Sequence, residues 1–148
     1  MTNTKTNTKV NTKVYQSVYI LAEELLEANS RKDQETFDAL YADLKAICIE
    51  NEDTDKDHPV QWEALADFTE DTDQALALYK KALNKATAIN SKDYMSSIAF
   101  SMAELQVQVG QIKEAIENLK NAKITANKIE DKQLKNEIHD LLVELTGD

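Results

Sequence analysis

Apolar and small residues fall at three- and four-residue intervals along most of this chain, the spacing of helices that each bury one face. The pattern is sharpest around Gly110. Ile98, Ala99, Met102, Ala103 and Leu105 precede it, and Ile112, Ala115, Ile116, Leu119 and Ala122 follow. Glycine there suits a helix C-terminus, where the chain takes a left-handed conformation that penalises a Cβ. The same periodicity predicts a first helix over about 12–28, burying Val14, Val18, Leu21, Ala22 and Leu25. Asn29-Ser30 breaks it, and Ser30 with Asp33 offers a cap for a second helix carrying Phe37, Leu40, Tyr41, Leu44, Ile47 and Cys48, ending near Asn51.

Pro59, with Asp57 or His58 as cap, opens a short third helix that carries Trp62, Leu65 and Phe68 to about Thr69. A fourth, over about 72–89, buries Ala75, Leu78, Tyr79, Ala82 and Leu83. Asn90-Ser91 caps a fifth helix leading to Gly110, and a sixth follows it. Glu130-Asp131 starts a seventh, with Leu134, Ile138, Leu141, Leu142 and Leu145 on its apolar face.

Part of this pattern repeats. Ala115, Leu119 and Ala122 are matched 40 residues upstream by Ala75, Tyr79 and Ala82, and a further 38 residues back by Phe37, Tyr41 and Leu44. Ala22, Ala66 and Ala103 echo one another on the apolar faces of the odd-numbered helices, and Trp62, Leu65 and Ala66 form an aromatic-leucine-small opening. These residues resemble the tetratricopeptide repeat, from about Tyr15 to Leu145 and most strongly from Trp62 to Ala126. The chain departs from it at Thr69-Glu70-Asp71-Thr72, where a turn glycine is usual, and nowhere carries the closing proline. The resemblance implies an all-α fold, an α-solenoid of about three helical hairpins (about 14–51, 59–89 and 92–127) and a capping helix over about 131–145. An unpaired last helix covers the open face of a solenoid's final repeat.

The length of 148 residues fits one domain, residues 14–148, large enough to bury roughly 70% of its unfolded surface. Ahead of it, Asn-Thr-Lys occurs at 3–5, 7–9 and 11–13, so residues 1–13 read as a disordered basic tail. The net charge is −10 and Arg31 is the one arginine, which argues against non-specific binding to nucleic acid or to an anionic membrane. No apolar run approaches a membrane span, and Val14–Leu26 is broken as a signal segment by Gln16 and Glu23-Glu24, so a cytoplasmic location is expected. Cys48 is the one cysteine, an expected buried structural thiol that excludes an internal disulfide.

The search for catalytic chemistry is negative. Two glycines leave no phosphate-cradling loop, and His58 and His139 stand apart from each other and from Cys48. Glu52, Asp53, Asp55 and Asp57 approach a calcium loop in spacing but lack its central glycine and closing glutamate. No enzyme, cofactor or metal site is expected.

In the family it resembles, ligands lie in a concave groove lined by the first helix of each hairpin. Setting Ala22, Ala66 and Ala103 inward puts three sets of side chains on that groove. They are Tyr19, Glu23, Leu26 and Glu27; Glu63, Asp67 and Glu70; and Phe100, Glu104, Val107 and Gln108. Six are carboxylates and none is basic, so the expected partner is a basic peptide or protein surface, bound by a non-catalytic adaptor. The lysines and asparagines with which chaperone-binding family members clamp a C-terminal carboxylate are missing. Alternatives are an immunity protein that neutralises a cationic toxin, a secretion-type chaperone, and, from a different class, a self-assembling structural protein, as monomer or homodimer.

Overall fold

The structure is a computed structural model that describes the backbone of residues 3–147 and the side chains of residues 13–147. Among the described residues the fold is all-helical, with α1 (Asn3–Ser30), α2 (Gln34–Asn51), α3 (Pro59–Asp67), α4 (Thr72–Ala88), α5 (Lys92–Gln108), α6 (Ile112–Ala126) and α7 (Lys132–Thr146). The backbone of α1 begins upstream of the start expected near Thr12. A helix already nucleated from Val14 onward extends by one hydrogen bond per residue without a new nucleus. The basic tail expected over residues 1–13 falls on residues whose side chains, up to residue 12, lie outside those described.

Helix boundaries follow local chemistry. Asp33, Asp71, Ser91 and Asp131 each accept a hydrogen bond from a backbone N–H three residues on, satisfying one of the donors a helix start leaves open. At α3 the cap is His58, whose Nδ1 accepts from the Val60 N–H at 3.1 Å while Pro59 occupies the first turn. Gly110 ends the α5 turn at φ +83° with open space where a Cβ would stand, so backbone conformation alone requires glycine there.

Each helix packs on the next in the chain, and the odd-numbered helices also touch in order: α1 on α3, α3 on α5, α5 on α7. Two apolar clusters result. The larger joins Leu25, Leu44, Cys48, Trp62, Leu65, Ala82 and Ile98, and the smaller joins Ala103, Ala115, Leu119, Ala122 and Ile138. Burying each large aliphatic side chain contributes roughly 1.5–3 kcal/mol. Alanines at 103, 115 and 122 are fully or almost fully buried, which lets the α5 and α6 backbones approach closely. α5 is the hinge of the architecture: Ile98 belongs to one cluster and Ala99 and Ala103 to the other.

Candidate binding groove on the odd-numbered helices

α1, α3, α5 and α7 touch in order, and α3 carries two carboxylates one turn apart. Glu63 is half-buried and accepts a hydrogen bond from the Ser97 hydroxyl of α5 at 2.7 Å. Asp67 keeps an exposed edge while accepting from the Tyr79 phenol of α4 at 2.5 Å. Both bonds tie a groove residue to a neighbouring helix and fix its rotamer.

Burial pushes the Glu63 carboxyl up to about 7, helped by the charge of Asp67, although the Ser97 hydrogen bond opposes it. Asp67 is raised by burial and by Glu104, against the pull of the Tyr79 hydroxyl. Glu104 is raised by burial and by Glu137 on α7. Burial foremost, with Asp67, Glu63 and Glu104 around it, also drives the Tyr79 phenol well above its ordinary range. Glu63, Asp67, Glu104 and Glu137 therefore form a chain of like charges across three helices. Among the described residues none of them joins an ion pair.

At the α5–α7 end this face deepens into a cavity of about 380 Å³, bordered by Asp93, Tyr94, Ser97, Asp131, Leu134 and Glu137. Tyr94 links it back to α1 and α3. Burial first, then Tyr15, Glu63 and Asp93, raise its phenol to about 12. Gln61 and Ser96, fully buried on α3 and α5, carry side-chain polar atoms without a hydrogen-bond partner among the described residues. Such groups cost stability.

The structure brings together only part of the residue set expected from the sequence. Glu63, Asp67 and Glu104 meet as described. Tyr19, Glu23, Leu26 and Glu27 are exposed on α1, where Glu27 makes a loose ion pair with Arg31 at 3.8 Å. Glu70 lines a different recess, beside Phe37, Tyr41 and Phe68. Phe100 and Val107 pack against the smaller apolar cluster, where the leucines of α7 also lie, rather than standing free in the groove. Gln108 is exposed at the end of α5. Ser97, Tyr79, Tyr94 and Glu137 are the members that sequence reasoning missed. Glu137 was accessible to it, because α7 extends the series of odd-numbered helices.

The other acidic stretch has a separate fate. Asp57 accepts from Trp62 Nε1 at 2.7 Å, from Lys85 Nζ at 2.6 Å and from the Asp53 N–H at 2.8 Å. Lys81 pairs with Glu52 and lies 4.2 Å from the centre of the Trp62 ring. Glu52 and Asp57 of this acidic loop are thus paired with lysines of α4. Cys48 is buried, donates to the Gln61 carbonyl at 3.2 Å, and is pushed up to about 12 chiefly by burial, the signature of a structural thiol.

Among the described residues no helix is long and apolar enough to cross a membrane. Comparisons of the chain with family models, with curated proteins and with solved structures find no match.

Proposed function

We propose that this protein is a non-catalytic adaptor of tetratricopeptide-repeat type, in which the odd-numbered helices line the concave side of a solenoid and bind a basic peptide or basic protein surface. Helix pairs α1–α2, α3–α4 and α5–α6, with α7 closing the series, fit the repeat spacing of the sequence. The observation that carries the functional reading is the row of Glu63, Asp67, Glu104 and Glu137, which spans three helices without an ion-pairing partner among the described residues. Lysine or arginine side chains from a partner would supply the missing charge, and the extended field of a −10 protein would speed their approach.

The test uses a fluorescent oligolysine peptide and anisotropy at low and physiological salt. Wild type binds with an affinity that falls as salt rises, and Glu104→Lys combined with Glu137→Lys loses that binding while circular dichroism stays helical. Equal binding by both proteins contradicts the reading. Self-assembly is the second reading, favoured by the exposed Tyr15, Tyr19, Ile20 and Leu26 of α1. A mass that rises with concentration in analytical ultracentrifugation, and falls back in Leu26→Glu, would support it.

A further inference from the structure

Among the helix starts capped by a side chain, that of α3 differs in its chemistry. Asp33, Asp71, Ser91 and Asp131 cap their helices through oxygen acceptors, whereas His58 caps α3 through a ring nitrogen. A serine hydroxyl gains no proton in mildly acidic solution and an aspartate ordinarily titrates at about 4, but an imidazole ordinarily titrates at about 6.5. We propose that His58 is a pH-sensitive latch: its neutral imidazole closes the first turn of α3 and seats against α5, and protonation in mildly acidic solution opens that turn.

The hydrogen bond sets the requirement. The Val60 N–H donates to His58 Nδ1 at 3.1 Å, so Nδ1 must offer a lone pair and the ring proton sits on Nε2. Protonation turns Nδ1 into a donor facing another donor, and it sets a cation at the positive end of the helix dipole. Pro59 has no N–H, so Val60 carries the first open donor of α3 and is the group left without a partner. The His58 ring is half-buried and stands edge-on to Tyr94 of α5 at 5.0 Å between centroids, so the cap also joins the start of α3 to α5. Opening begins at the end of α3 where Trp62, almost fully buried, holds Asp57, and that turn leads into Glu63 and Asp67.

The charged and titratable groups on the surrounding elements are few. Asp57 precedes the histidine, and its carboxylate already accepts from Lys85 Nζ of α4 at 2.6 Å, from Trp62 Nε1 at 2.7 Å and from the Asp53 N–H at 2.8 Å. The Asp53 carboxylate, beyond α2, lies 4.0 Å from the same Lys85. On α5 the neighbours are Tyr94 and Asp93, with Glu63 of α3 and Tyr15 of α1 acting on the Tyr94 phenol. Burial disfavours the imidazolium and outweighs the opposing pull of Asp57, so His58 titrates below its ordinary 6.5. The sign follows: the contribution of the cap is fully present above 6.5 and is lost as pH falls from there through the lower folded value.

Two NMR measurements on the full chain test the latch. Long-range proton–nitrogen spectra at about pH 8 should show His58 with a bare Nδ1 and a protonated Nε2, and a titration should give a midpoint below 6.5. His58→Asn assigns that signal against the exposed His139 and keeps an oxygen cap that does not titrate in this range. Amide hydrogen exchange is the second measurement, corrected for its intrinsic pH dependence. Protection of Val60 falls about fivefold to tenfold from about pH 7.5 to about pH 5 in wild type and stays constant in His58→Asn. The Gln74 amide, capped by Asp71, keeps its protection in both proteins. A local probe separates this effect from that of Glu63, whose raised carboxyl moves global stability with the opposite sign over the same range. A proton on Nδ1 at about pH 8, a midpoint at or above 6.5, or a Val60 loss that persists in His58→Asn overturns the latch. The first two are read from wild type alone, so they decide even where the variant folds poorly.

Discussion

Two acidic regions of this protein, built from the same residue types and separated by only a few positions, come to opposite electrostatic ends. In the loop before α3, burial alone would raise Asp57, but hydrogen bonds from Lys85, the Asp53 N–H and Trp62, with the Lys85 charge, hold it below the ordinary 3.8. On the groove side of α3, Glu63 and Asp67 are raised, chiefly by burial and then by a neighbouring acid, against hydrogen bonds from the Ser97 and Tyr79 hydroxyls. Composition is therefore a poor guide to what a carboxylate does. The deciding fact is which lysines the fold brings within reach, and α4 delivers Lys81 and Lys85 to the loop. The paired region reads as structure. The unpaired region leaves its carboxylates without a counter-charge among the described residues.

Breaking the paired side should have the largest effect. Trp62→Ala removes a core aromatic that is 3% exposed, together with its hydrogen bond to Asp57, and costs about 3–5 kcal/mol in denaturant unfolding. Asp57→Asn comes next, at about 2–3 kcal/mol, because it strips the carboxylate from Lys85, whose side chain is 20% exposed. The pH dependence of that contribution follows from a lowered folded pKa. It is fully present above the unfolded value of 3.8 and is lost as pH falls through the lower folded value.

The unpaired side should behave with the opposite sign. Glu63 titrates near 7 in the folded protein against 4.5 ordinarily, so the native state binds the extra proton between those values. Wild type is then more stable as pH falls from about 7 toward 4.5, and Glu63→Gln removes that slope in a series of unfolding curves. The same variant gains about 1–2 kcal/mol at about pH 8, where wild type carries the unfavourable anion. The smallest stability change belongs to Glu104→Lys with Glu137→Lys, within about 0.5 kcal/mol because both are exposed. That double variant nonetheless weakens oligolysine binding by about tenfold or more.

Helix existence, order and most caps were legible in the sequence, because periodicity, Pro59, Gly110 and the Asp and Ser caps are local signals. All-helical architecture followed from them. The site was only partly legible. Counting inward from Ala66 and Ala103 found Glu63, Asp67 and Glu104, since position on one helix face is a matter of helical geometry. Counting failed where neighbouring helices decide: Glu70 falls in the loop after α3 beside Phe37 and Tyr41, and α7 settles against the cluster that takes Phe100 and Val107. Tyr79 and Ser97 were invisible as site members because their roles are hydrogen bonds across helix seams, which one-dimensional spacing does not encode. The pairing of the loop acids Glu52 and Asp57 was illegible for the same reason, their lysine partners lying 29 and 28 residues away in sequence.

The most direct test of the central claim is to map where a basic ligand touches the protein, by titrating oligolysine into isotope-labelled protein and following backbone and carboxyl NMR shifts. Perturbations should centre on Glu63, Asp67, Ser97, Glu104 and Glu137, crossing α3, α5 and α7, with the 52–57 loop unmoved. Shifts confined to the exposed stripe of α1 or to the loop carboxylates, with that row unchanged, would contradict it.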